Sequence, residues 1–116
     1  GDADLAKAIL SNSAPTSFID VAEQDDGTVA GLIMVSLREE LLSHAPSAHL
    51  EAIVVAPNAR GNGLGKRLIT HCQAKVRQMG AASLTLHVFA LNARARALYV
   101  SEGFDEELIR AVKWLD

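Results

Sequence analysis

Apolar positions along this chain follow first a period of two and then a period near 3.6. Residues 17–23 set Phe18, Asp20 and Ala22 against Ile19 and Val21, the alternation of a half-buried strand. Asp25-Asp26-Gly27 is a hairpin signal. Residues 29–38 are almost continuously apolar and predict a central strand. Residues 39–47 read as a polar connection containing Pro46. Residues 50–55 hold the β-branched run Ile53-Val54-Val55 and predict a strand, ended by Pro57, which has no N–H for a ladder. Beyond it, Leu64, Leu68, Ile69, Cys72, Val76 and Met79 recur at helical steps as one stripe. Lys66, Arg67, Lys75 and Arg77 lie mainly on the other side, and Gly80 ends a helix of roughly 25 Å. Residues 82–89 alternate again, with Leu84, Leu86 and Val88 opposite Thr85, His87 and Phe89. A helix over 93–102 and a strand over about 108–115 close the pattern, and residues 2–10 read as a short helix before the first strand. Strand, long helix and strand make a βαβ unit, so 50–55 and 82–89 should run parallel. The hairpin should pair antiparallel with 50–55. The fold class is therefore α/β (α+β) with a mixed central sheet.

At 116 residues the chain is one domain by size, and 49% hydrophobic residues suffice for a core. Eleven basic and 14 acidic residues give a net charge of −3, which argues against nucleic acid, a partner that calls for a basic face. A mildly acidic surface suits a cationic amine. The single Cys72 cannot form an internal disulfide and lies on the helix stripe, as a small core residue or a reactive thiol. A chain without a disulfide framework fits the cytoplasm. No run is long and apolar enough for a membrane helix, and no secretory signal is seen, so no membrane partner is expected.

The chemistry concentrates in Arg60-Gly61-Asn62-Gly63-Leu64-Gly65, between the strand and the long helix. A helix N-terminus leaves four N–H groups without partners and carries partial positive charge. Glycines bare those donors, so a phosphate can sit on them, and Arg60 adds a fixed charge. The P-loop pattern fails, because Gly65-Lys66 is followed by Arg67 and position 60 is not glycine. The dinucleotide pattern GxGxxG fails at Lys66.

RGNGLG, residues 60–65, matches the form [Q/R]xxGx[G/A], and Asn92-x-x-Ala95-x-x-Leu98-Tyr99-x-x-x-Gly103-Phe104 matches NxxAxxLYxxxGF. With both blocks in order, residues 29–104 resemble the GNAT superfamily of N-acetyltransferases. The resemblance implies acetyl-CoA as cosubstrate and no metal. It implies that the loop amides over Arg60, Gly61, Asn62, Gly63, Leu64, Gly65 and Lys66 hold the pyrophosphate. It implies parallel strands that splay apart, so that backbone groups of Ile53, Val54 and Val55 meet the pantetheine arm, with Asn92, Ala95 and Tyr99 beside it. Compared with that pattern the chain is abbreviated at both ends.

Acetyl transfer needs an acceptor amine freed of its proton, donors for an oxyanion and a proton for the leaving sulfur. By the resemblance Tyr99 is the acid and the Val55 N–H the oxyanion donor; the alternative for Tyr99 is a ring that caps the core with its hydroxyl on a polar partner. Glu51 is the candidate base; alternation puts it on a face with Ile53 and Val55, and the alternative is a solvated or ion-paired strand carboxylate. His49, on that face, and His87 are alternative bases, although a lone strand histidine is more often a hydrogen-bonded structural residue. Asn92 fits both coenzyme contact and a helix cap; Arg94 and Arg96 are within sequence reach of the phosphates, although helix-surface arginines are more often just solvated. The expected function is an N-acetyltransferase acting by direct attack in a ternary complex on a primary amine, in a small molecule or a protein or peptide. The alternatives are a non-catalytic acyl-CoA sensor and an interaction module, and a homodimer through an open sheet edge is a related expectation.

Overall fold

In a computed structural model that describes residues 17–39 and 44–115, four strands form one sheet. They are β1 (Ser17–Glu23), β2 (Val29–Glu39), β3 (Pro46–Val55) and β4 (Ser83–Leu86), in the order β1-β2-β3-β4. The β1/β2 and β2/β3 pairs are antiparallel and β3/β4 is parallel. Helix α1 (Leu64–Gln78) crosses from β3 to β4, and α2 (Ala93–Ser101) follows. The helix expected over residues 2–10 lies outside the described residues.

The core is the seam between sheet and α1. Ile33, Val35, Ala48 and Leu50 meet Leu68, Cys72 and Val76, and Ile69 is fully buried on the same helix. The helical stripe thus buries as its spacing demands, except Met79, which lies past the last turn and is 45% exposed. Cys72 is a core residue: burial pushes its thiol up to about 11. Gly31 lets α1 approach β2. A Cβ there would stand 2.8 Å from the Val54 carbonyl oxygen and 3.1 Å from Leu68 Cδ1. Asp20 faces inward with Phe18 and latches β1 to α1. Lys75 Nζ donates to its carboxylate at 2.8 and 3.0 Å, His71 Nε2 lies at 2.8 Å, and the ammonium sits 4.2 Å from the centre of the Phe18 ring.

Three boundaries differ from the sequence pattern. Strand β3 begins at Pro46, not residue 50; proline is tolerated as a first strand residue, and Ser47 to Leu50 pair with both neighbours. Strand β4 stops at Leu86, short of residue 89. No strand forms over 108–115: residues 104–115 carry no regular structure, and Leu108, Ile109, Trp114 and Leu115 stay exposed. Their residue types favour a strand, but a strand needs a ladder, and none of β1 to β4 supplies one.

Candidate active site

The parallel ladder runs from Ser47↔Ser83 to Leu50↔Leu86 and ends there. Residues 51–55 continue along β2 alone, so a gap opens between the C-terminal half of β3 and the chain leaving β4. The Ala56 N–H donates to the Ala30 carbonyl at 2.8 Å. Antiparallel alternation then makes Leu32/Val54 and Met34/Ala52 the hydrogen-bonded pairs. Ile53 and Val55 turn their N–H and C=O the other way, toward the gap, and Arg60 Nε meets the Val55 carbonyl at 3.2 Å. Val54 differs from its two neighbours: its backbone groups serve the β2 ladder.

The glycine turn lies at the mouth of this gap. Gly61 and Gly63 have φ of 86° and 76°, which L side chains avoid, and a Cβ on either would meet only open space. Gly63 caps α1 with no side-chain bond. Among the described residues, no backbone N–H from Gly61 to Lys66 has a protein acceptor. A cleft of about 310 Å³ is bounded by Val55, Arg60, Gly61, Gly63, Leu64 and Gly65 together with Ala59 and Arg94. Arg60 and Arg94 thus border the same cleft as the glycine turn. Asn62 borders a neighbouring cleft with Arg67, and Lys66 Nζ lies 3.8 Å from Glu102. Arg96 is held elsewhere, in a two-pronged pair with Glu106 at 2.6 and 2.9 Å and on the Ala90 carbonyl at 2.9 Å.

Asn92 caps α2: its Oδ1 accepts from the Ala95 N–H at 3.2 Å. The Ala95 amide is therefore engaged by the protein, while the Asn92 NH₂ is left to donate. Two turns on, Tyr99 is half-buried with its ring edge-on to Phe104, centroids 5.9 Å apart. Among the described residues its hydroxyl has no partner. Burial raises its pKa, so the phenol keeps its proton at neutral pH.

Glu51 does not share a face with Ile53 and Val55. The β2/β3 register shifts between Met34 and Val35, which pair with Ala52 and Leu50, so Glu51 is the extra residue of a bulge. Ile53 and Val55 pack toward the core, whereas Glu51 lies on the opposite, outer face with Ser36 and His49. It accepts from Ser36 Oγ at 2.6 Å and from Arg38 Nη2. The Ser36 bond lowers its pKa most; burial opposes, and His49 and Arg38 lower it further. His49 is buried, with Nδ1 2.7 Å from Thr85 Oγ1, and its ring lies 4.7 Å from that of exposed His87. Burial lowers its pKa first, then Arg38. Ser36, Arg38 and Thr85 had no local signature in the sequence, because strand register alone brings them here. Among the described residues no group of three or more His, Cys, Asp or Glu is placed to hold a metal.

Comparison with known proteins fits this geometry. The family model for the acetyltransferase (GNAT) family matches residues 2–104. The [ribosomal protein bS18]-alanine N-acetyltransferase of Escherichia coli K12 is 44% identical over 63 residues, 54% of this chain and 43% of that enzyme. The 5-NmdU N-acetyltransferase of Pseudomonas phage PaMx11 is 41% identical over 87 residues, 75% of this chain and 56% of that enzyme. The chain thus spans about half the length of these curated relatives. Among solved structures, a putative acetyl transferase from Pyrococcus furiosus superposes with TM-score 0.83 at 20% identity, over 97% of this chain and 73% of that one. Glucosamine-6-phosphate N-acetyltransferase from Arabidopsis thaliana gives 0.80 at 22% identity, over 97% and 76%.

Proposed function

The chain belongs to the acetyltransferase (GNAT) family, and from that premise we propose that it moves an acetyl group from acetyl-CoA to a primary amine in a ternary complex. The observation that carries this reading is the row of unengaged amides over Gly61 to Lys66, opening α1 beside the gap between β3 and β4. Those donors, the α1 dipole, Arg60 and Arg94 suit a diphosphate. From there the pantetheine arm runs into the gap along Ile53 and Val55, with the Asn92 NH₂ on its other side. The Val55 N–H donates to the oxyanion, and the protonated Tyr99 hydroxyl gives its proton to the departing sulfur. Holding both reactants in line supplies much of the rate, so no covalent enzyme intermediate is needed.

The acceptor is an amine of a small molecule or of a protein or peptide. We place the protein in the cytosol, where a lone buried thiol such as Cys72 is ordinary, and infer pairing of two copies through an open sheet edge. Among the described residues no helix is long and apolar enough to cross a membrane. Calorimetry with acetyl-CoA tests the coenzyme site; no heat at millimolar ligand overturns the reading. Thiol release with an alanine-initiated peptide, a polyamine and an amino sugar tests transfer. Binding without thiol release from any of them contradicts the enzyme assignment.

A further inference from the structure

We propose that residues 108–115 of one copy add as a strand to the free edge of β4 in a second copy, and that the exchange is reciprocal. This rests on the pairing of two copies inferred above, and it names the edge and the strand that carry that pairing.

Two strand-forming stretches of this chain lack a ladder. Residues 87–89 continue the alternation of β4, yet the strand stops at Leu86. Residues 108–115 set Leu108, Arg110, Val112 and Trp114 against Ile109, Ala111, Lys113 and Leu115. Each row holds three apolar residues and one base. A strand apolar on both rows suits a sheet covered on both faces. Here every residue from 105 to 115 is exposed, and Trp114 is 85% exposed. The deficit is regional. From residue 77 to residue 115 no residue is buried, and α2 buries none of its nine. Among the described residues the end of the molecule built by β4 and α2 is therefore without cover, whereas β2 and β3 have α1 against them.

The two sheet edges are not equally open to an added strand. Edge strand β1 carries the inward-pointing charge of Asp20 and a register shift between Ala22 and Glu23, and both features hinder pairing from outside. Residues 83–89 hold no proline, no lysine and no carboxylate, so nothing in their sequence guards the β4 edge. The sheet order of one copy ends at β4. The root of the segment is fixed meanwhile. The Phe104 N–H donates to the Tyr99 carbonyl at 3.0 Å, and Arg96 grips both Glu106 and the Ala90 carbonyl. The chain beyond that anchor finds no ladder in its own copy, so the ladder comes from another. An exchanged segment gives 83–89 a partner along their whole length and backs the β4 side of the gap. Main-chain bonds join the copies and apolar side chains line the joint, as in other strand additions. Reciprocal exchange uses the same two surfaces twice and closes as a two-fold pair.

Trp114 is the single tryptophan of the chain, so its fluorescence reads the exchange. As wild-type protein is raised through the micromolar range, sedimentation should show a dimer and Trp114 emission should move to shorter wavelength in step. The full chain carrying both Ala111→Pro and Val112→Pro loses a ladder N–H whichever way the segment faces, because successive N–H groups point to opposite sides. Both positions are exposed and lie outside every helix and strand, so the body of each copy keeps its fold. This variant should stay monomeric where the wild type is mostly dimer, with its emission fixed at the wavelength of dilute protein. In a mixture of deuterated ¹⁵N-labelled and unlabelled wild-type copies, protons of residues 108–115 in one should give NOEs to amides of residues 83–89 in the other. A double variant that dimerises like the wild type, or a wild-type dimer without those NOEs, overturns the exchange and leaves pairing through another edge standing. A wild type that stays monomeric overturns the pairing and the exchange together.

Discussion

Single residues decide whether the site binds, reacts or only holds itself together. Tyr99 is kept protonated by burial, and its hydroxyl is free among the described residues. Tyr99→Phe should lower kcat about 10²-fold while leaving acetyl-CoA affinity intact; unchanged kcat would clear Tyr99 of the acid role. Asp20 joins β1 to α1 through Lys75 and His71. Burial pushes its pKa up, but hydrogen bonds from Lys75 and His71 outweigh that and hold it below the usual carboxylate value. A depressed folded pKa adds stability above the unfolded value and loses it as pH falls through the folded one. Asp20→Asn should therefore melt below wild type at pH 7, with the gap closing toward pH 3; a gap that stays constant with pH would refute the latch. At this scale the sequence was readable where conformation or burial depends on residue type, as in the positive φ of Gly61 and Gly63, the Asn92 cap and the buried Cys72. It was not readable where placement depends on register. The bulge that sends Glu51 to the outer face is set by its pairing with β2, fifteen positions from Ser36 along the chain. Arg94 and Arg96 look alike in sequence, and the contacts of Arg96 with Glu106 and the Ala90 carbonyl separate the one at the cleft from the one held away.

Elements were legible in proportion to how local their causes are. Helix α1 is set by its own stripe and glycines, and its bounds match the periodicity to within a residue or two. The hairpin is set by Asp26 and Gly27, whose turn is closed by the Thr28 N–H on Asp26 Oδ1 at 3.0 Å. Strand β4 is short because its partner is splayed away, a fact of the sheet rather than of residues 87–89. The segment 108–115 carries strand-forming residues and forms no strand, since pairing lies outside its own sequence. The close approach of α1 to β2 rests on Gly31. Gly31→Ala puts a methyl against the Val54 carbonyl and should cost about 1–3 kcal/mol by chemical denaturation. An unchanged midpoint would mean that α1 can move aside.

For the molecule as a whole, the antiparallel half is a platform and the splayed half carries the candidate site. The sheet ends in two edges, β1 and β4, each with a row of backbone groups facing outward from the four strands. Leu108, Ile109, Trp114 and Leu115 add exposed apolar surface after α2. If two copies pair through an edge, equilibrium sedimentation should show a concentration-dependent dimer at micromolar protein. Monomer alone would contradict that inference. The net charge of −3 does not prevent a local concentration of positive charge: Arg60 and Arg94 both border the cleft at the glycine turn.

The most direct test is a titration of ¹⁵N-labelled protein with coenzyme A, followed at the amides of Gly61, Gly63 and Gly65. New hydrogen bonds to a diphosphate should move these three resonances downfield, more than any in β1, with saturation. Resonances that stay in place while saturating coenzyme A binds elsewhere would contradict the account.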